Sequence, residues 1–126
     1  AFGFAALGLR HGALLTAIAK EATRKVGEFE PQGLAQLAWA CACLAFADRP
    51  LMVAVALEAM EKMDRFTDSD LASVAWSFAK LRLRHGRLMY AIATEAALRV
   101  HAFDEEDLGR LAWAFAALDL APPKPT

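Results

Sequence analysis

The sequence predicts an all-α chain, an alpha-solenoid of tandem antiparallel helical hairpins with a 37-residue period. Three observations predict it. The first is a stretch that returns: Leu37-Ala38-Trp39-Ala40-Cys41-Ala42-Cys43-Leu44 comes back as Val74-Ala75-Trp76-Ser77-Phe78-Ala79-Lys80-Leu81 and as Leu111-Ala112-Trp113-Ala114-Phe115-Ala116-Ala117-Leu118. Trp39, Trp76 and Trp113 are thus 37 residues apart twice, and Ala1 to Leu7 read as a fourth copy with Phe2 in the Trp position. The second is that apolar residues inside each repeat fall at helical spacing, with no strand read anywhere. The third is composition: 57% of the residues are hydrophobic, above the usual range of roughly 45–50%, which suits helices buried on more than one side.

The units run over about 1–28, 29–65, 66–102 and 103–121, one array followed by a Pro-rich tail over 122–126. Phe29, Phe66 and Phe103 open successive units, and a helix-start signal follows each. Pro31 suits a first helical position, where its missing N–H costs nothing. Thr67 with Asp70 makes a capping-box-like pair, and Asp104 caps ahead of Glu105, Glu106 and Asp107.

The first helix of each unit, helix A, divides into three stripes. Leu34, Leu37, Ala38, Cys41 and Leu44 form one apolar face. Ala35, Trp39, Ala42 and Phe46 form a second, which places the three tryptophans at the repeat interfaces and largely buried. The third, free stripe is Gln36, Ala40, Cys43 and Ala47, then Ser73, Ser77, Lys80 and Arg84, then Arg110, Ala114, Ala117 and Ala121.

Short loops at Arg10-His11-Gly12, Asp48-Arg49-Pro50 and Arg84-His85-Gly86 lead into helix B. Its wide apolar face is Leu14, Leu15, Ile18, Ala19, Ala22 and Val26, with Leu51 to Met63 and Leu88 to Val100 as its copies. Glu21–Lys25, Glu58–Lys62 and Glu95–Arg99 recur at i,i+4 in the favourable order, which explains the repeated Glu without invoking a carboxylate site. Gly27 is a plausible stop for the first helix B. The count is part of one helix A and three B–A pairs, seven helices in all. A start without Met in mid-repeat reads as a piece of a longer protein.

The net charge of −1 supplies no overall basic field. The longest apolar run, Leu34 to Ala47 broken by Gln36, is shorter than the ~18–20 residues of a spanning helix, so no transmembrane span is expected. Cys41 and Cys43 point about 200° apart on a helix and share neither a metal nor a disulfide. His11 and His85 share a slot with Asp48, and no carboxylate recurs beside them, which excludes a repeated metal site. There is no Gly-rich phosphate loop and no nucleophile with a base, so no enzyme, cofactor, metal or small-molecule substrate is expected.

The candidate functional residues lie on surfaces. Gln36, Ser73, Ser77, Lys80, Arg84 and Arg110 on the free stripe are candidate RNA contacts, because aligned stripes of a solenoid make one extended surface. Arg82 and Arg87, in the basic run from Lys80 to Arg87, are candidate phosphate contacts, with Arg10 and Arg49 at the matching loops. On helix B, Val53, Leu57, Met60 and Tyr90 face away from the core and are candidate protein-docking residues.

A hairpin of this period with an Ala-Trp-Ala-Phe-Ala-like core resembles the octotricopeptide and heptatricopeptide repeats, linked to RAP-domain and FAST-kinase-like organellar proteins. Trp39, Trp76 and Trp113, Leu44, Leu81 and Leu118, and Phe29, Phe66 and Phe103 carry the resemblance. The Pro-Pro-Pro-Glu-Tyr-Trp-like signature of the algal repeats is absent, only Pro31 hinting at it, and the heptatricopeptide length fits better. The resemblance implies a mitochondrial or plastid protein that binds single-stranded RNA for transcript processing, stability or translation. The other reading is a non-catalytic docking scaffold that lies on a larger organellar assembly through protein partners.

Overall fold

The computed structural model describes the backbone of residues 2–119 and the side chains of residues 12–119. The chain is all-α, with six helices packed as hairpins and no strand among the described residues. They are α1 (Phe2–Arg24), α2 (Pro31–Cys43), α3 (Arg49–Glu61), α4 (Asp68–Lys80), α5 (Gly86–Leu98) and α6 (Glu105–Ala117). Three 3-10 turns, Val26–Glu28, Met63–Arg65 and Val100–Ala102, end the B helices. From α2 onward every helix start recurs after 37 residues.

Local chemistry sets these boundaries. Pro31 stands at the start of α2. Thr67 accepts from the Asp70 N–H at 3.1 Å, and Asp104 accepts from the Asp107 N–H at 2.8 Å. The slot shared by Asp48 and His85 is a helix cap: the Asp48 carboxylate accepts from the Leu51 N–H at 3.0 Å, and His85 Nδ1 accepts from the Leu88 N–H at 3.1 Å.

The A helices end alike. Ala45, Arg82 and Asp119 take left-handed backbone, with φ of 53°, 60° and 55°. The Ala45 N–H donates to the Ala42 carbonyl at 3.1 Å and the Phe46 N–H to the Cys41 carbonyl at 2.8 Å. Arg82 and Leu83 repeat this pair of bonds to Ala79 and Phe78. This is the Schellman arrangement, built here without glycine.

Helices α2, α4 and α6 stack side by side and contact one another more extensively than α1, α3 and α5 do. Alanines make that closeness possible: Ala35, Ala38, Ala42, Ala72, Ala75 and Ala79 are all buried. Leu51, Met52, Val55, Ala56 and Ala59 of α3, and Leu88, Met89, Ile92 and Ala96 of α5, fill the space behind them. Phe66 and Phe103 are buried where their units open.

Two features differ from the sequence reading. The first helix does not break at Arg10-His11-Gly12; α1 runs straight through, giving six helices rather than seven. The turn sequence alone does not decide this, since the same Arg-His-Gly run at residues 84–86 separates α4 from α5, with His85 capping α5. Leu14 and Ile18 are exposed on α1, while Leu51 and Val55 in the same slots of α3 are buried in the core. Gly27 is not the stop either: α1 ends at Arg24 and Gly27 lies inside the 3-10 turn. The tail over 122–126 and the side chain of Phe2 lie outside the described residues.

Candidate nucleic-acid interface

The tryptophans are not inside the stack. Trp39 is 50% exposed, Trp113 is 44% exposed and Trp76 is half-buried. The alanine contacts between A helices are too close to hold an indole, so the ring is turned outward. Angular geometry allows it: from residue 36, residue 40 lies about 40° to one side and residue 39 about 60° to the other. The structure opens the side carrying Trp and closes the other. Ala114 is fully buried, and so is Ser77, whose hydroxyl donates to the Ser73 carbonyl at 2.7 Å. Ser77 is therefore removed from the surface that the sequence assigns it to.

The free row on the A helices is then Gln36–Trp39–Cys43, Ser73–Trp76–Lys80 and Arg110–Trp113–Ala117. The Trp76 and Trp113 ring centroids are 6.4 Å apart with the planes tilted by 39°. Lys80 Nζ stands over both, 5.9 Å from one centroid and 6.0 Å from the other, within cation–π range. Gln36, Ser73 and Arg110, one from each helix, line a single shallow trough with Gln32, Trp39 and Asp70. Gln36 is exposed and Ser73 half-buried. Arg110 is tethered beside it by Glu106 at 2.8 Å and Asp107 at 3.8 Å.

At the A–B turns the charge changes. Arg49, Arg82, Arg84 and His85 surround one depression, which no carboxylate lines. Arg84 donates, among the described residues, to the Asp119 backbone carbonyl alone, at 3.4 Å. Among the described residues Arg49, Arg82, Arg84 and the exposed Arg87 make no ion pair. Arg24, Lys25, Lys62, Arg65 and Arg99, near the B–A turns, all do. Unpaired cations therefore gather at one end of the hairpins, beside Lys80. Sequence reading found the run from Lys80 to Arg87 and Arg49 at the matching loop; the fold brings Arg49, Arg82 and Arg84 around one depression. It missed the tryptophan row, whose signal was the alanines flanking each Trp.

On helix B, Val53 and Leu57 are exposed and Tyr90 is 76% exposed. Met60 differs, being half-buried against the core. Cys41 is buried, which pushes its thiol pKa up, and Cys43 is exposed; both are free. Among the described residues no group of His, Cys, Asp and Glu is placed to hold a metal ion. None of the described helices is long and apolar enough to cross a membrane.

Against known proteins, the family model for the RNA-editing substrate-binding complex 6 protein matches residues 2–121. No curated protein and no solved structure matches the chain. The family match overturns the octotricopeptide and heptatricopeptide assignment. A 37-residue period with small residues around a Trp specifies how hairpins stack. It does not specify descent.

Proposed function

The chain belongs to the RNA-editing substrate-binding complex 6 protein family, and from that premise we propose that it is a non-catalytic, RNA-binding helical-repeat subunit of a mitochondrial RNA-processing assembly. The single observation that carries the reading is the one-ended distribution of unpaired arginines. Among the described residues Arg49, Arg82, Arg84 and Arg87 make no ion pair at the A–B turns, while the cations near the opposite turns are neutralised by carboxylates. A chain of net charge −1 has no global attraction for a polyanion, so a local unpaired ridge is what a phosphate backbone meets. The trough of Gln36, Ser73 and Arg110 runs across three A helices and offers hydrogen-bonding groups to base edges.

The test is a salt titration of single-stranded RNA binding with the full-length protein. Replacing Arg82, Arg84 and Arg87 with Ala lowers the affinity and reduces the log–log salt slope by about 0.7 per lost contact. Replacing Gln36 and Ser73 with Ala alters sequence preference at nearly constant slope. A triple arginine variant with wild-type affinity and slope would remove the ridge as the RNA surface.

A second contact surface goes with membership of a complex. Val53, Leu57 and Tyr90 expose large side chains on the B row, Val53 at the edge of the arginine-lined depression. This face meets a neighbouring protein subunit of the assembly.

A further inference from the structure

The three tryptophans raise a question that the phosphate ridge does not answer. An A-row stack held by alanines leaves an indole outward in every unit, where its burial contributes least. Isolated exposed apolar residues are ordinary. A row at fixed register, two of its rings packed against each other beneath one ammonium group, is not scattered.

We infer that Trp39, Trp76 and Trp113 form a stepped stacking platform for the unpaired bases of a single RNA strand, with Lys80 holding the phosphate between the second and third steps. The inference rests on the RNA reading above and deepens it, by naming what the strand must present: open base faces. A-form duplex hides those faces in its own stack, so the platform selects unpaired RNA. Every base has a π-face, so the selection is tolerant of sequence.

The geometry also decides how the bases lie. Stacked rings sit about 3.4 Å apart, so a base sandwiched between two indoles needs parallel rings about 7 Å apart. Trp76 and Trp113 are 6.4 Å apart and tilted by 39°, short on both counts. Bases therefore lie across the outer faces of the row and do not intercalate between its rings. Lys80 Nζ, nearly equidistant from the two rings, stands over them until a base displaces it, and its flexible stem then lets it meet the backbone linking two such bases. Gln36, Ser73 and Arg110 flank the row one step along the A helices, within reach of base edges.

The experiment compares a short mixed-sequence single-stranded RNA with an abasic strand of the same length and phosphate count, on the full-length protein and its Trp39→Leu and Trp113→Leu variants. The expected result is that the abasic strand binds about tenfold or more weaker at unchanged salt slope. Each Leu variant loses a similar factor for the normal strand and almost nothing for the abasic one, with helicity unchanged. Trp113→Phe restores most of the loss, which a collapse of the fold would not allow. Equal binding of the two strands overturns the platform and leaves the phosphate reading standing. Failure of both strands to bind overturns the two together.

Discussion

The Arg99 guanidinium donates to the backbone carbonyl of Phe66 at 2.6 Å, from 33 residues further along the chain. Phe66 opens its unit and Arg99 stands just past the end of α5, so this bond clasps the two ends of one hairpin. Lys62 does the same for the preceding unit, reaching the Phe29 carbonyl across the same 33 residues and the Gly27 carbonyl at 3.1 Å. Glu58 steadies Lys62 at 3.0 Å, and Asp68 and Glu95 stand 3.5 and 3.7 Å from Arg99. The i,i+4 pairs read from the sequence are thus half of a device whose other half is a carbonyl far back in the chain.

The first prediction concerns that clasp. Arg99→Ala strips a charged donor from a carbonyl and costs about 1–3 kcal/mol in urea unfolding. Arg99→Lys recovers part of the loss, since an ammonium already does this work at Lys62. Unchanged stability in Arg99→Ala would make the clasp incidental.

Ala45 carries the second prediction. Its left-handed φ of 53° is one that a Cβ disfavours, at roughly 1–2 kcal/mol. Ala45→Gly relieves that strain and loses part of the gain to the freer unfolded chain, for a net stabilisation of about 0.5–1 kcal/mol. Ala45→Val should destabilise. A thermal melt of the two variants checks the pair, and a lower midpoint for Ala45→Gly would count against the Schellman account.

The helices, their caps and the period were legible because each is written in local or periodic signals: Pro31, Thr67 with Asp70, Asp104, and the recurrence of Trp39, Trp76 and Trp113. The facing of those tryptophans was not. A large apolar residue amid alanines reads as core, yet Ala38 and Ala42 bring the helices close enough to expel it. The same few tens of degrees that turn Trp39 out turn Ser77 in, so one angular misreading moved two site residues in opposite directions. The arginine run from Lys80 to Arg87 was visible as composition. That its members lack ion partners is a property of the fold, since only the packed hairpins show which cations find carboxylates.

Asp107 supplies a pH prediction. Burial first, and the nearby Asp104 charge second, push its carboxyl above the ordinary aspartate value. Because the folded value is raised, the stability linked to this group is fully present below the unfolded value and is lost as pH rises through the folded one. Asp107→Asn should flatten the stability curve across that acidic window and leave the neutral side parallel to wild type. A wild-type curve that climbs through the window because of Asp107 would reverse the sign and defeat the assignment.

The last prediction concerns the B row. Val53 and Tyr90 occupy the same slot in successive units, and Leu57 lies one turn beyond Val53, so the three make one continuous apolar strip across α3 and α5. Val53 is 46% exposed, Leu57 48% and Tyr90 76%, so truncating them removes little buried contact. Exposed substitutions of this kind typically shift stability by no more than about 0.5 kcal/mol. Leu57 and Tyr90 replaced together by Ser should therefore leave helicity, melting temperature and RNA affinity near wild type. If a protein neighbour covers the strip, the same double variant loses the aromatic and aliphatic anchors that dominate such contacts. Its recovery with the assembled complex should fall several-fold. Met60, half-buried against the core, is the internal control: Met60→Ser should lower stability first and assembly only as a consequence. A double variant that assembles at wild-type yield would leave the A row as the working surface and the strip as ordinary exposed side chains.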